Sequence, residues 1–174
     1  MFNTFLHAIE DIRRWLKEDR SSDARFSMMV DLYGLPHDFP GYDEAMALNG
    51  GERQADSMEA ALTAELQDDR FIPYLQVYEF EALVLCDVAK LNELHEEADR
   101  AIQRLAEKCS PFQSPEEIDH GRHSHPKARI KGAIPRYDEN VHGPLIAGEI
   151  GLAVLREKCP HFGGWLRMLE ELDR

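Results

Sequence analysis

The sequence predicts an α/β fold in which a small sheet is flanked by helices and the last third is helical. Two apolar runs carry the strand prediction: Met28-Met29-Val30-Asp31-Leu32-Tyr33-Gly34-Leu35-Pro36 and, about forty residues later, Phe71-Ile72-Pro73-Tyr74-Leu75-Gln76-Val77-Tyr78-Glu79-Phe80-Glu81. Both end on carboxylates, and neighbouring strands that end this way bring acids to one edge of a sheet. Apolar residues at three-to-four-residue steps before, between and after these runs supply the helices.

Taken in order, Phe2, Phe5, Leu6, Ile9, Ile12 and Leu16 form the apolar stripe of an amphipathic helix reaching about Asp19. Ser21, Ser22 and Asp23 make a turn, and Arg25 to Val30 reads as a short strand buried on both faces, with Asp31 at its C-terminal end. Gly34 to Gly51, with Pro36, Pro40, Gly41, Asn49 and Gly50, reads as a long surface loop. Ser57 is placed to cap a helix through about Gln67. Phe71 to Val77 is the second strand, with Pro73 expected near its start, and Glu79 to Leu85 a helix entered directly from it. Leu91 to Lys108 is a helix whose many charges form a solvated face. Ser114-Pro115-Glu116-Glu117 has the residues of a helix start. Leu145 to Leu155 and Phe162 to Leu172 are two helices split by Pro160.

A chain of 174 residues and 20.0 kDa fits a single domain, 1–174, with a substantial core. Acidic residues outnumber basic ones by 33 to 20, a formal charge of -13, which argues against a surface that is basic overall and restricts any polyanion contact to a local patch. Cys86, Cys109 and Cys159 are odd in number, far apart and outside any Cys-x-x-Cys spacing, so neither a disulfide framework nor a thiolate zinc site is indicated and a reducing cytoplasm fits. No long apolar run or signal segment supports membrane spanning or export.

Asp31, Glu79 and Glu81 are the first candidate site, because Mg²⁺ and Mn²⁺ prefer hard carboxylate oxygens. The alternative is that Asp31 caps a turn and the two glutamates sit at a helix N-terminus, where negative charge is favourable anyway. The second candidate is a run of local positive charge. Between His120 and Tyr137 stand Arg122, Lys127, Arg129, Lys131 and Arg136 with three histidines and no acid, a segment suited to phosphate or nucleic-acid backbone. Its alternative is an ordinary exposed segment that pairs with neighbouring acids. His120, His123 and His125 lack the further ligands of a structural zinc site, and His37 is a lone candidate base. There is no glycine-rich phosphate loop and no Gly-x-Ser-x-Gly elbow.

Several ordered blocks resemble one family. Asp31-Leu32-Tyr33-Gly34-Leu35-Pro36 with Asp38-Phe39-Pro40-Gly41, Phe71-Ile72-Pro73-Tyr74, and Glu79-Phe80-Glu81-Ala82-Leu83 are similar to the bacterial domain of unknown function family numbered 4276. So are Ser114-Pro115-Glu116-Glu117-Ile118, Pro126 to Ile130, His142-Gly143-Pro144, Ile150-Gly151-Leu152 and Cys159-Pro160-His161-Phe162 with Trp165. The resemblance implies a Toprim-like α/β fold akin to the metal-dependent nuclease halves of overcoming-lysogenization-defect proteins, and gene neighbourhoods that pair it with ATPases in anti-phage or DNA-processing operons. On that likeness Asp31 is the first acid of an Asp-x-Asp element, Glu79 and Glu81 are the acidic pair entering the next helix, and Arg129 is the family's basic residue.

The departures are specific. The family's opening strand with Glu-Gly-x-x-Glu has no counterpart here, Tyr33 replaces the second acid, Tyr78 stands where His is frequent and Ala128 where Lys is frequent. A sheet lacking that strand would leave an edge that recruits other strands, so an upstream start, a homo-oligomer or a partner is expected to complete it. The expectation is a Mg- or Mn-dependent, nuclease-like component of a defence or DNA-maintenance system. The alternative is a non-catalytic subunit that partners an ATPase.

Overall fold

The computed structural model describes residues 4–118, 121 and 123–173. These fall into two compact units, one running up to Gln76 and the other from Val77.

In the first unit, helix α1 (Leu6–Glu18) buries Ile9, Ile12 and Leu16 on one face, while Leu6, expected in the same stripe, is exposed and Phe2 lies outside the described residues. Its N-terminus is capped from a distance: both Asp38 carboxylate oxygens accept the Phe5 N–H, at 2.8 and 2.9 Å. Strand β1 (Phe26–Asp31) and strand β2 (Phe71–Gln76) form a parallel two-stranded sheet. The register runs from Phe26 opposite Phe71 to Asp31 opposite Gln76. Parallel strands need a crossover, supplied here by helices α2 (Tyr42–Met46) and α3 (Gly51–Leu66). Helix α3 lays Ala55, Met58 and Leu62 into the core, and the Glu59 carboxylate accepts the Leu75 N–H at 2.6 Å, tying the helix to β2.

Three details differ from the sequence expectation. The stretch expected to be loop contains α2, because Gly41 takes a left-handed φ of 73° and turns the chain into a helix. Helix α3 begins six residues before Ser57, because Gly50 alone, at φ 93°, makes the turn and Gly51 is already helical. Strand β1 exposes Ser27 and Met29 on one face instead of being buried on both. Pro73 sits inside β2, opposite Met28, which a strand with one hydrogen-bonded neighbour tolerates.

The second unit is helical. It contains α4 (Glu81–Val84), α5 (Asp99–Cys109), α6 (Pro126–Ala133), α7 (His142–Ile150), α8 (Leu152–Lys158) and α9 (Pro160–Glu170). Leu83, Leu91, Ile102, Ile130 and Ile146 form its fully buried centre. The helix expected over Leu91 to Lys108 divides at His95, whose backbone leaves the helical conformation and whose ring is buried, and the α-helix proper begins at Asp99. Ser114 does act as a cap, accepting the Glu116 N–H at 3.0 Å, but for a single 3-10 turn. From His142 onward there are three α-helices where two were expected, because Gly151 at φ 80° separates α7 from α8. No helix among the described residues is long and apolar enough to cross a membrane.

Candidate functional site

Asp31 is the last residue of β1 and is half-buried, which is where the sequence places it. At the same level of the sheet, Gln76 is fully buried and accepts the Tyr74 hydroxyl at 2.8 Å. His37, in the same unit, lies against the Tyr42 ring, centroids 4.6 Å apart and planes tilted by 53°.

Glu79 and Glu81 open the second unit. Tyr78 ahead of them has φ 59°, a conformation rare for a bulky residue. Glu79 is 4% exposed and Glu81 2%. Carboxylates so deeply enclosed need partners, since desolvation is costly for an isolated charge. Glu79 Oε2 lies 2.8 Å from His125 Nδ1 and accepts the Lys127 N–H at 3.0 Å. His125 is the N-cap residue of α6 and Pro126 its first residue, so Glu79 supplies a negative charge to the first turn of a helix remote in sequence. Glu81 stands beside the Tyr137 hydroxyl, where burial first, and then the Glu81 charge, push the phenol well above its ordinary range. Tyr137 therefore keeps its proton.

The predicted cationic segment separates into distinct parts. Lys127 Nζ lies 3.5 Å and Lys131 Nζ 2.5 Å from the Glu139 carboxylate, and the Lys131 hydrogen bond, chiefly, holds Glu139 below the usual carboxylate range. Arg129 donates its Nε–H to the Ser124 carbonyl and lays its guanidinium 5.3 Å from the Phe112 ring centroid. Arg122 and His120 lie outside the described residues. His123 is exposed and His125 is engaged with Glu79.

Sequence reasoning missed three features. Glu116, 7% exposed, accepts the His161 N–H at 3.0 Å and the Phe162 N–H at 3.1 Å, and so caps α9 as Glu79 caps α6. Its only signal was a Ser-Pro-Glu-Glu turn and, 44 residues on, Pro160 at a helix start. His95 Nε2 meets His142 Nδ1 at 3.2 Å, and Cys86 Sγ meets Cys159 Sγ at 3.3 Å.

A parallel strand pair ending on an acid, and a helical unit that opens on two buried glutamates, define an α/β protein with carboxylates as its candidate chemistry. Residues 3–170 match the domain of unknown function DUF4276, and the chain belongs to that family. No curated protein and no solved structure matches it.

Proposed function

We propose that this chain is a Mg²⁺- or Mn²⁺-dependent, phosphodiester-cleaving component of a cytoplasmic nucleic-acid-processing or defence system, with a Toprim-like arrangement of acids. The supporting observation is that Glu79 and Glu81, two residues apart, are 4% and 2% exposed. Enclosed carboxylates are paired, protonated or ligands, and oxygen donors of this kind suit a hard divalent cation. Both hydrogen bonds that Glu79 makes with described residues fall on Oε2, which is compatible with a ligand role for the carboxylate. Asp31 enters the reading from the sequence, as the acid at the end of β1.

A bound ion would supply Lewis acidity at a phosphoryl group and acidify a water. The residues of the chain do the positioning. His125 and the Lys127 N–H both meet one Glu79 oxygen, and the Tyr137 phenol near Glu81 stays protonated. Calorimetric titration of Mn²⁺ into the full chain, with cleavage of DNA and RNA followed in parallel, tests this. Wild-type protein should give binding heat and metal-dependent cleavage, and Glu81→Gln and Asp31→Asn should lose both. Absence of cleavage of either polymer, even with an ATPase encoded beside it, overturns the enzymatic reading.

The second reading, a non-catalytic subunit that partners such an ATPase, is favoured by the same Glu79 bonds, since capping α6 is a sufficient structural reason for a buried carboxylate. Under it, ATPase capture by wild type and by Asp31→Asn is equal and neither form cleaves.

A further inference from the structure

Helix α5 carries Ala101, Arg104, Leu105 and Lys108 along one stripe, so two cations four residues apart share a face with an aliphatic pair. Helix α6 presents Ala128, Arg129, Gly132 and Ala133, and His123 and Ser124 come from the segment that enters it. Together these ten residues enclose a cavity of about 310 Å³. Among the described residues, Arg104, Lys108, His123 and Arg129 are the ionisable groups in that lining, and none of these residues is Asp or Glu. This is a local reversal in a chain of formal charge -13.

The charge around the cavity is not neutralised as it is elsewhere in the unit. Lys90 pairs with Glu93, Lys127 and Lys131 with Glu139, and Arg156 with Glu170. Among the described residues, Arg104, Lys108 and Arg129 have no carboxylate within ion-pair distance. Like charges at this helical spacing repel, a small cost that a bound anion would remove. Arg129 is also held in place: its Nε–H is committed to the Ser124 carbonyl and its face to Phe112, so the guanidinium is pre-ordered and its Nη groups make no bond to a described residue. Small side chains keep the space open, and a Cβ added at Gly132 would meet nothing within 4 Å.

Three fixed-charge cations around one concavity suit an anion of more than one charge, and the guanidinium fork matches phosphate oxygens. The volume is at the lower end for small-molecule sites and exceeds what a bare phosphate needs. We propose that the cavity between α5 and α6 binds the phosphate group of a nucleotide or of a polynucleotide through Arg104, Lys108 and Arg129. This goes beyond the cleavage reading and does not depend on it, because no carboxylate and no ion takes part.

The test is calorimetry on the full chain in EDTA, which separates it from any metal effect, with AMP, adenosine and a short single-stranded oligonucleotide as probes. AMP should bind and adenosine should not. Stronger, salt-dependent binding of the oligonucleotide identifies a backbone phosphate as the source, and binding of AMP alone identifies a free nucleotide. Arg104→Gln combined with Lys108→Gln should weaken binding by about tenfold or more. For the oligonucleotide, the same double variant should reduce the log–log salt slope by roughly 1 to 2. Gly132→Leu, which places a side chain at the cavity wall without altering charge, should weaken binding as well, and Lys90→Gln should not. The proposal is overturned by absence of heat with both AMP and the oligonucleotide. It is equally overturned if the double variant, folded by circular dichroism, binds as wild type does.

Discussion

His95 Nε2 lies 3.2 Å from His142 Nδ1, and that same His142 nitrogen accepts the Asp138 N–H at 3.1 Å. A backbone N–H can only donate, so His142 Nδ1 is the unprotonated nitrogen and the proton between the rings sits on His95 Nε2. The pair thus joins the turn before α5 to the start of α7 through imidazoles of defined tautomer.

This geometry gives a signed pH dependence. His95 is 4% exposed, and burial, followed by the His142 ring, lowers its pKa from 6.5 while Glu97 opposes the shift. Between the folded value and 6.5 the unfolded chain binds more protons than the folded one, so stability rises with pH there and falls as pH drops below about 6.5. His95→Gln keeps a donor toward His142 and removes the titration. Urea unfolding at a series of pH values should show the wild type losing stability relative to His95→Gln on acidification, and a pH-independent difference between them counts against the assignment.

Glu79 is predicted to stabilise α6 whether or not it also holds an ion. Glu79→Ala leaves the Lys127 N–H without its acceptor and the His125 ring without its 2.8 Å contact, and should cost about 1–3 kcal/mol in urea unfolding. Glu79→Gln retains an acceptor oxygen and should cost less. Equal stability of Glu79→Ala and wild type would remove the capping role.

Neighbouring glycines of α9 should respond oppositely to alanine. A Cβ at Gly163 would lie 2.7 Å from the Arg156 carbonyl oxygen, so α8 and α9 must separate, at about 1–3 kcal/mol. A Cβ at Gly164 meets nothing within 4 Å, and Gly164→Ala should be neutral or stabilising by up to about 1 kcal/mol through helix propensity. Thermal unfolding of the two single variants decides it.

Much of the first unit was legible because its signals are local. The stripe of α1 and the two strands follow from period and run length, and Asp31 falls at the strand end. The early start of α3 was hidden by Asn49-Gly50-Gly51, which reads as a turn although only Gly50 takes a positive φ. The second unit was less legible because its polar contacts span long separations: Glu79 with His125, Glu116 with Phe162, His95 with His142. Periodicity says that Arg104 and Lys108 share a polar face of α5, but not that this face borders a cavity shared with Arg129.

Two thiols 73 residues apart in sequence illustrate the same limit and carry the last prediction. Cys86 Sγ is 3.3 Å from Cys159 Sγ, with Cys86 half-buried and Cys159 buried. The Cys86 contact, and then burial, push Cys159 far above the ordinary thiol range, so Cys86 is the accessible sulfur and Cys159 its resolving partner. Diamide adds to the Cys86 thiolate, Cys159 displaces the adduct, and the reagent leaves as the hydrazine, having taken up two electrons and two protons. Of the three free cysteines, Cys109 alone should then retain its thiol, with its own pKa also raised by burial. Thiol titration under denaturing conditions and mass spectrometry of the proteolysed chain should find an intramolecular Cys86–Cys159 peptide pair, which Cys86→Ser abolishes. Retention of all three thiols, or a crosslink between chains in its place, would show that the two sulfurs do not meet in solution.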